Sequence, residues 1–151
     1  MQLTRYTDYG TRILMYLAAQ PKRETLFRIA EVTDVFELSS NHVAKIIHHL
    51  GKLGYIQTIR GKSGGFKLAV HPSEINLGKL VGELEPSLAP VNCSEPYCRF
   101  TPACSLKGIL ARAVDAYMAV LNECTLADIV NNADELLKTL PDTSIAILEL
   151  S

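Results

Sequence analysis

No apolar run in the chain approaches the roughly 20 residues that span a bilayer. Its opening, M-Q-L-T-R-Y-T-D-Y-G, carries charges where a secretory leader would place an apolar core. The first absence excludes a helical membrane protein. The two together predict a cytoplasmic one, in which thiols stay reduced. The chain also lacks a plausible nucleophile–base pair, a carboxylate pair in a cleft pattern and a phosphate-binding loop after a strand, so no enzyme is expected. The glycines of residues 61–65 fall at a hairpin tip, which is the wrong context for such a loop. There are no internal repeats and no low-complexity tracts. A hydrophobic content of 48% over 151 residues is globular, enough for one core and a small second subdomain.

Cysteine is scarce, with four in all, but three of them lie together at Cys93, Cys98 and Cys104. Pro96 and Pro102 keep the backbone between them from closing into a helix. The segment reads as an irregular loop bringing three thiols to one small volume. Thiolates at such spacing bind soft metals, and an iron–sulfur cluster is the first candidate. A structural zinc site normally takes four protein ligands, and no fourth is obvious nearby. A disulfide would use two thiols and strand one. A cluster held by three thiolates and one weaker ligand fits the pattern C-x4-C-x5-C better, and iron with a non-cysteine ligand is open to small molecules. Cys124 continues an apolar stripe about five helical turns from Cys104, and reads as core rather than ligand.

The net charge of −1 hides an asymmetry. Residues 1–72 carry ten Lys/Arg against five Asp/Glu, and residues 73–151 carry five against eleven. A basic half joined to an acidic half suggests that the first meets a polyanion.

Periodicity places a helix over residues 2–20, with Leu3, Tyr6, Gly10, Ile13, Leu14 and Leu17 on one stripe. Asp8 and Arg12 lie four apart on its other face, the spacing of a surface ion pair. Thr25 is the expected cap of a short second helix containing Leu26, Ile29, Ala30 and Val32, with Asp34 to Leu38 as the link onward. A third helix runs from Ser39 or Ser40 to about Leu53, buries Val43, Ile46, Ile47, Leu50 and Leu53, and stops at Gly54. Strands follow at 55–59 and 66–70 around the basic turn R-G-K-S-G-G.

Helix, helix, helix and hairpin is the order of a winged helix-turn-helix. The fold expected is therefore mainly α with a small β-hairpin wing. Ser40, Asn41 and Lys45 stand near the start of the recognition helix, the end that meets base edges, and Arg60 and Lys62 at the wing tip suit phosphates or a minor groove. His42, His48 and His49 have no cysteine or carboxylate at ligand spacing, and read as surface or DNA-facing residues. Beyond Pro72, Asn76 caps a helix through Leu84, and Pro86 and Pro90 lead into the cysteine loop. From about Cys104 a long helix carries Leu106, Ile109, Leu110, Ala113, Tyr117, Val120 and Leu121 as one stripe, which a small domain cannot bury alone; pairing with a second copy solves this. Thr125 starts a last helix through Val130, and an apolar tail follows Pro141. The organisation expected is a DNA-binding domain over 1–72, a connecting helix and cluster loop over 73–104, and a dimerisation helix with C-terminal helix and tail over 105–151.

Five stretches together resemble the family of iron–sulfur winged-helix repressors: L-T-R-Y-T-D-Y-G (3–10), R-G-K-S-G-G (60–65), E-L-E-P (83–86), the cysteine segment (91–107) and T-L-A-D-I-V (125–130). The cysteine spacing is closer to the nitric-oxide-sensing branch than to the cluster-supply branch, whose first gap is longer. The resemblance implies a homodimeric repressor on a palindromic operator in double-stranded DNA, with one cluster per protomer, four-iron favoured over two-iron. It also implies that Asp8 of one chain supplies the fourth ligand to the other chain's Cys93, Cys98 and Cys104. On that view nitric oxide frees Asp8, Arg12 and Glu85 re-pair, and the two heads shift off the DNA. A sibling regulator sensing iron or cluster supply is the nearest alternative, and a DNA-binding protein with a purely structural metal a more distant one.

Overall fold

The computed structural model describes residues 2–141; the apolar tail after Pro141 lies outside the described residues. The helix α1 (Arg5–Ala18) starts at Thr4, whose hydroxyl accepts the Thr7 N–H, and sinks Ile13, Leu14 and Leu17 into the core. α2 (Ile29–Phe36) and α3 (Ser40–Lys52) pack on one another. α3 buries Val43, Ile46, Ile47 and Leu50, the stripe that the 3.6-residue period dictates. Its end is a Schellman turn. Gly54 sits at φ +85 and its N–H bonds the Gly51 carbonyl, while the Tyr55 N–H returns to Leu50. The antiparallel wing strands β1 (Ile56–Ile59) and β2 (Gly65–Leu68) pair Ile56 with Leu68 and Ile59 with Gly65.

The second helix starts later than Thr25, and the supposed link at 34–38 is partly helical. Arg28 is the first flanking residue, extended at φ −120, and α2 runs on to Phe36, where Glu37 in the left-handed region ends it. The cause is Phe27. Its N–H and carbonyl exchange bonds with Phe66 of the wing, both at 2.9 Å, and its ring is buried against Tyr16 and Phe66. The backbones approach so closely here that a side chain on Gly65 would fall on the Phe27 carbonyl.

A short 3-10 turn at Pro72–Glu74 leads to α4 (Leu77–Leu84), capped by the Asn76 side chain on the Lys79 N–H. α4 lies between α1 and α5 (Ser105–Asn122), with Leu77, Leu80, Val81 and Leu84 buried. α5 has no buried residue along its 18 positions. Leu106, Ile109 and Val120 are each more than half exposed. α6 (Leu126–Ile129) is closed by the Thr125–Asp128 box and returns Leu126 and Val130 to the core. A further short helix, α7 (Ala133–Lys138), brings Leu136, Leu137 and Leu140 against it. No helix among the described residues is long and apolar enough to cross a membrane.

Polar ties also hold these elements together. The Arg23 and Glu31 side chains form a buried ion pair that receives the Tyr16 hydroxyl at 2.8 Å, and the guanidinium lies 4.1 Å from the Phe27 ring centroid. Tyr6 of α1 meets His49 Nδ1 of α3 at 3.0 Å. Tyr55 donates to Glu83 at 2.5 Å.

Candidate functional site

The cysteine loop leaves the body of the protein at the end of α4. Pro86 follows Glu85, the residue that closes that helix, and the chain stays irregular until the 3-10 turn at Thr101–Ala103. Two backbone turns organise its middle. The Cys98 N–H bonds the Cys93 carbonyl, and the Thr101 N–H bonds the Cys98 carbonyl, both at 3.0 Å. Asn92 Oδ1 accepts the Ser94 and Glu95 N–H groups, so the loop turns immediately around Cys93. Cys104 flanks the start of α5 without making a side-chain cap.

All three thiols are free and half-buried, between exposed side chains such as Tyr97 and Phe100. As donors they fit a soft, thiolate-bound metal group. The single chain does not gather them: among the described residues no three His, Cys, Asp or Glu side chains come close enough to hold one metal ion. Chemically the three thiols fit an iron–sulfur group.

Asp8 stands in the first turn of α1, where the helix dipole favours a carboxylate. Arg12 donates to it at 2.8 Å, and both side chains are open to water, Arg12 more than Asp8. Glu85 faces the same helix start. Its carboxylate accepts the Thr4 N–H and hydroxyl. The residue that ends α4 therefore holds the beginning of α1, four positions before Asp8.

Ser39 caps α3 by accepting the His42 N–H, which leaves the Ser40 hydroxyl out of the cap. Ser40, Asn41 and Lys45 are exposed on the first half of α3, as are Arg60 and Lys62 on the wing turn. None of these three cations enters an ion pair among the described residues. Of the three adjacent histidines, His42 and His48 are exposed, but His49 is turned inward as the partner of Tyr6. Cys124 is half-buried in the bend after α5, where its carbonyl accepts the Leu77 N–H.

Sequence reasoning missed two ties near this site, Glu83 to Tyr55 and the inward role of His49. Both partners lie far apart along the chain, and periodicity carries no signal for such pairs.

A family model described as Rrf2, iron-dependent transcriptional regulator, matches residues 3–132. The HTH-type transcriptional regulator NsrR of Shouchella clausii is 48% identical over 139 residues, covering 90% of this chain and 93% of that protein. Among solved structures, the global cysteine regulator CymR of B. subtilis superposes with a TM-score of 0.68 at 24% identity, over 87% of this chain and 98% of that one. T. potens IscR does so with a TM-score of 0.68 at 25% identity, over 90% of each. The long family match and the close relative agree with the winged-helix architecture and the exposed basic head. This chain belongs to the Rrf2 family of transcriptional regulators.

Proposed function

We propose that the protein is a nitric-oxide-responsive repressor that binds operator DNA as a homodimer and lets go when its iron–sulfur cluster reacts with nitric oxide. The observation that carries this reading is the loop holding Cys93, Cys98 and Cys104, which opens directly after a residue that grips the start of α1. The similarity to NsrR and the family description support it.

When bound, the cluster supplies an iron site at which nitric oxide reacts. The protein's part is to hold it and to feel its loss. Cys93, Cys98 and Cys104 give three thiolates, and Asp8 of a second copy gives a carboxylate. Leaving Arg12 costs Asp8 little, because an exposed pair at this spacing is worth only about 0.2–0.5 kcal/mol. Once released, Asp8 returns to Arg12, the pairing present in this structure. Glu85 keeps the end of α4 and the start of α1 moving together, so the loop's state reaches the helix packed on α3. The exposed stripe of α5 supports pairing with a second copy. Ser40, Asn41 and Lys45 face the bases, and Arg60 and Lys62 the backbone or minor groove. Binding of ligand and binding of DNA then bias the same two arrangements, as coupling requires.

The deciding experiment is an anaerobic visible spectrum with iron and sulfide analysis, followed by nitric oxide titration of protein bound to an operator fragment. A spectrum that bleaches as DNA is released supports the proposal, and the iron-to-sulfide stoichiometry reports the cluster type. A cluster that bleaches while DNA stays bound contradicts it and favours sensing of cluster supply. Zinc without sulfide after anaerobic reconstitution removes the cluster altogether.

A further inference from the structure

The stretch E-L-E-P ends α4 with two carboxylates that point to different parts of the molecule. Glu85 holds Thr4 at the start of α1. Glu83 holds the Tyr55 hydroxyl. Between them Leu84 is buried, and its Cδ1 lies 3.0 Å from where a side chain on Gly10 of α1 would begin. The next residue, Pro86, opens the cysteine loop.

Tyr55 is where the recognition helix and the wing meet. Its N–H bonds Leu50 at the end of α3, and its carbonyl accepts the Ala69 N–H just past β2. β1 begins at the next residue. The ring is buried, with 6% exposure, and the hydroxyl has its hydrogen-bond partner on α4. Burial first, and then the bond and charge of Glu83, push the phenol well above its ordinary range, so Tyr55 remains a neutral donor. Among the described residues, Glu83 has one distant second contact, Lys79 at 3.9 Å on the wet side of α4.

We infer that the Tyr55–Glu83 hydrogen bond is a positioning contact that transmits the state of the cysteine loop to the wing and recognition helix. The inference rests on the function proposed above. α4 packs on the head through α1, and this bond adds a second tie. With it, a shift at the root of the loop acts on the DNA-reading elements directly, through a residue bonded to α3 and to the strand after the wing turn.

The test uses full-length, cluster-loaded protein. Operator affinity is measured before and after nitric oxide for the parent, Tyr55→Phe, Glu83→Ala, Glu83→Gln and Lys79→Ala. Tyr55→Phe keeps the buried ring, and glutamine keeps an acceptor for the hydroxyl. The expected result is a ratio of loaded to treated affinity that shrinks about tenfold in Tyr55→Phe and Glu83→Ala, within the usual range of coupling factors. Iron and sulfide content stay at the parent level, Glu83→Gln is largely rescued, and Lys79→Ala is unaffected. A double Tyr55→Phe/Glu83→Ala variant loses no more than either single one. If both single variants keep the parent's ratio while melting earlier, the bond is merely structural and the inference is overturned. If the parent itself shows no change in affinity with nitric oxide, the function proposed above fails first and takes this inference with it.

Discussion

The carboxylate of Glu85 accepts both polar groups of Thr4, the backbone N–H at 2.7 Å and the hydroxyl at 3.1 Å, across 81 positions of sequence. Thr4 is also the cap of α1, so one acid satisfies a cap from outside the helix. Glu85→Ala should lower stability by about 1–2 kcal/mol, because it strands a partly buried N–H and loosens the helix start. Glu85→Gln should recover most of this, since an amide oxygen accepts equally. Denaturant midpoints of the three proteins check it. Equal midpoints would mean that water takes over from Glu85.

Asp8 and Arg12 separate stability from ligand holding. Their pair is exposed, so Arg12→Ala should change folding stability by less than about 0.5 kcal/mol. Asp8→Ala should also fold, but should retain less iron through anaerobic desalting than the parent does. Unchanged iron and an unchanged nitric oxide response would remove Asp8 from the ligand set.

Arg23 and Glu31 should be among the most sensitive positions in the head. The side chains are 5% and 7% exposed, and the arginine also donates to Gln20, Thr25 and Leu26. Arg23→Met leaves a buried carboxylate without its cation and should cost about 3–5 kcal/mol. Combining it with Glu31→Gln removes the charge and keeps an acceptor for Tyr16. The double variant should therefore be more stable than Arg23→Met alone. Thermal melts of both variants decide this.

Alkaline pH should weaken the fold through its buried phenols. Burial first, then the bond and charge of Glu31, push Tyr16 up to about 12 from 10.0. A folded-state value above the unfolded one means that the unfolded chain loses its proton first. The stabilisation is complete below pH 10 and drains away as pH rises towards 12. Tyr55 is shifted in the same direction. Stability measured at pH 8, 10 and 11 should fall most steeply over the last interval, and Tyr16→Phe should flatten the fall.

The stripe on α5 gives a test of assembly. Ile109→Asp and Val120→Asp place charges where two copies would pack, and should shift sedimentation from dimer to monomer at micromolar concentration. Both residues are exposed in the single chain, so its helical circular dichroism should change little. A dimer that survives both substitutions would put the interface elsewhere.

Much of the head was legible because its signals are local. Val43, Ile46, Ile47 and Leu50 recur at helical spacing, Gly54 punctuates them, and alternation marks the wing. The start of α2 was misplaced for the opposite reason. Leu26 and Phe27 look like the first turn of a helix, but Phe27 is claimed by Phe66, 39 residues on. The six-residue α7 is too short to display a period, and Leu136, Leu137 and Leu140 belong to the core by tertiary contact alone. At the site, cysteine spacing offers Cys93, Cys98 and Cys104 as candidate donors without any structure. Nothing local to Arg23 or Glu83 tells that their partners are Glu31 and Tyr55.

A helix of 18 residues without one buried side chain would, in a dimer, make the amount of regulator part of the regulation. If its partner is another copy, and that copy supplies a ligand, dilution alone parts the chains and empties the site by mass action. The operator would then be vacated at low copy number with no signal present. The threshold for the response would be set jointly by nitric oxide and by how much of the protein the cell has made.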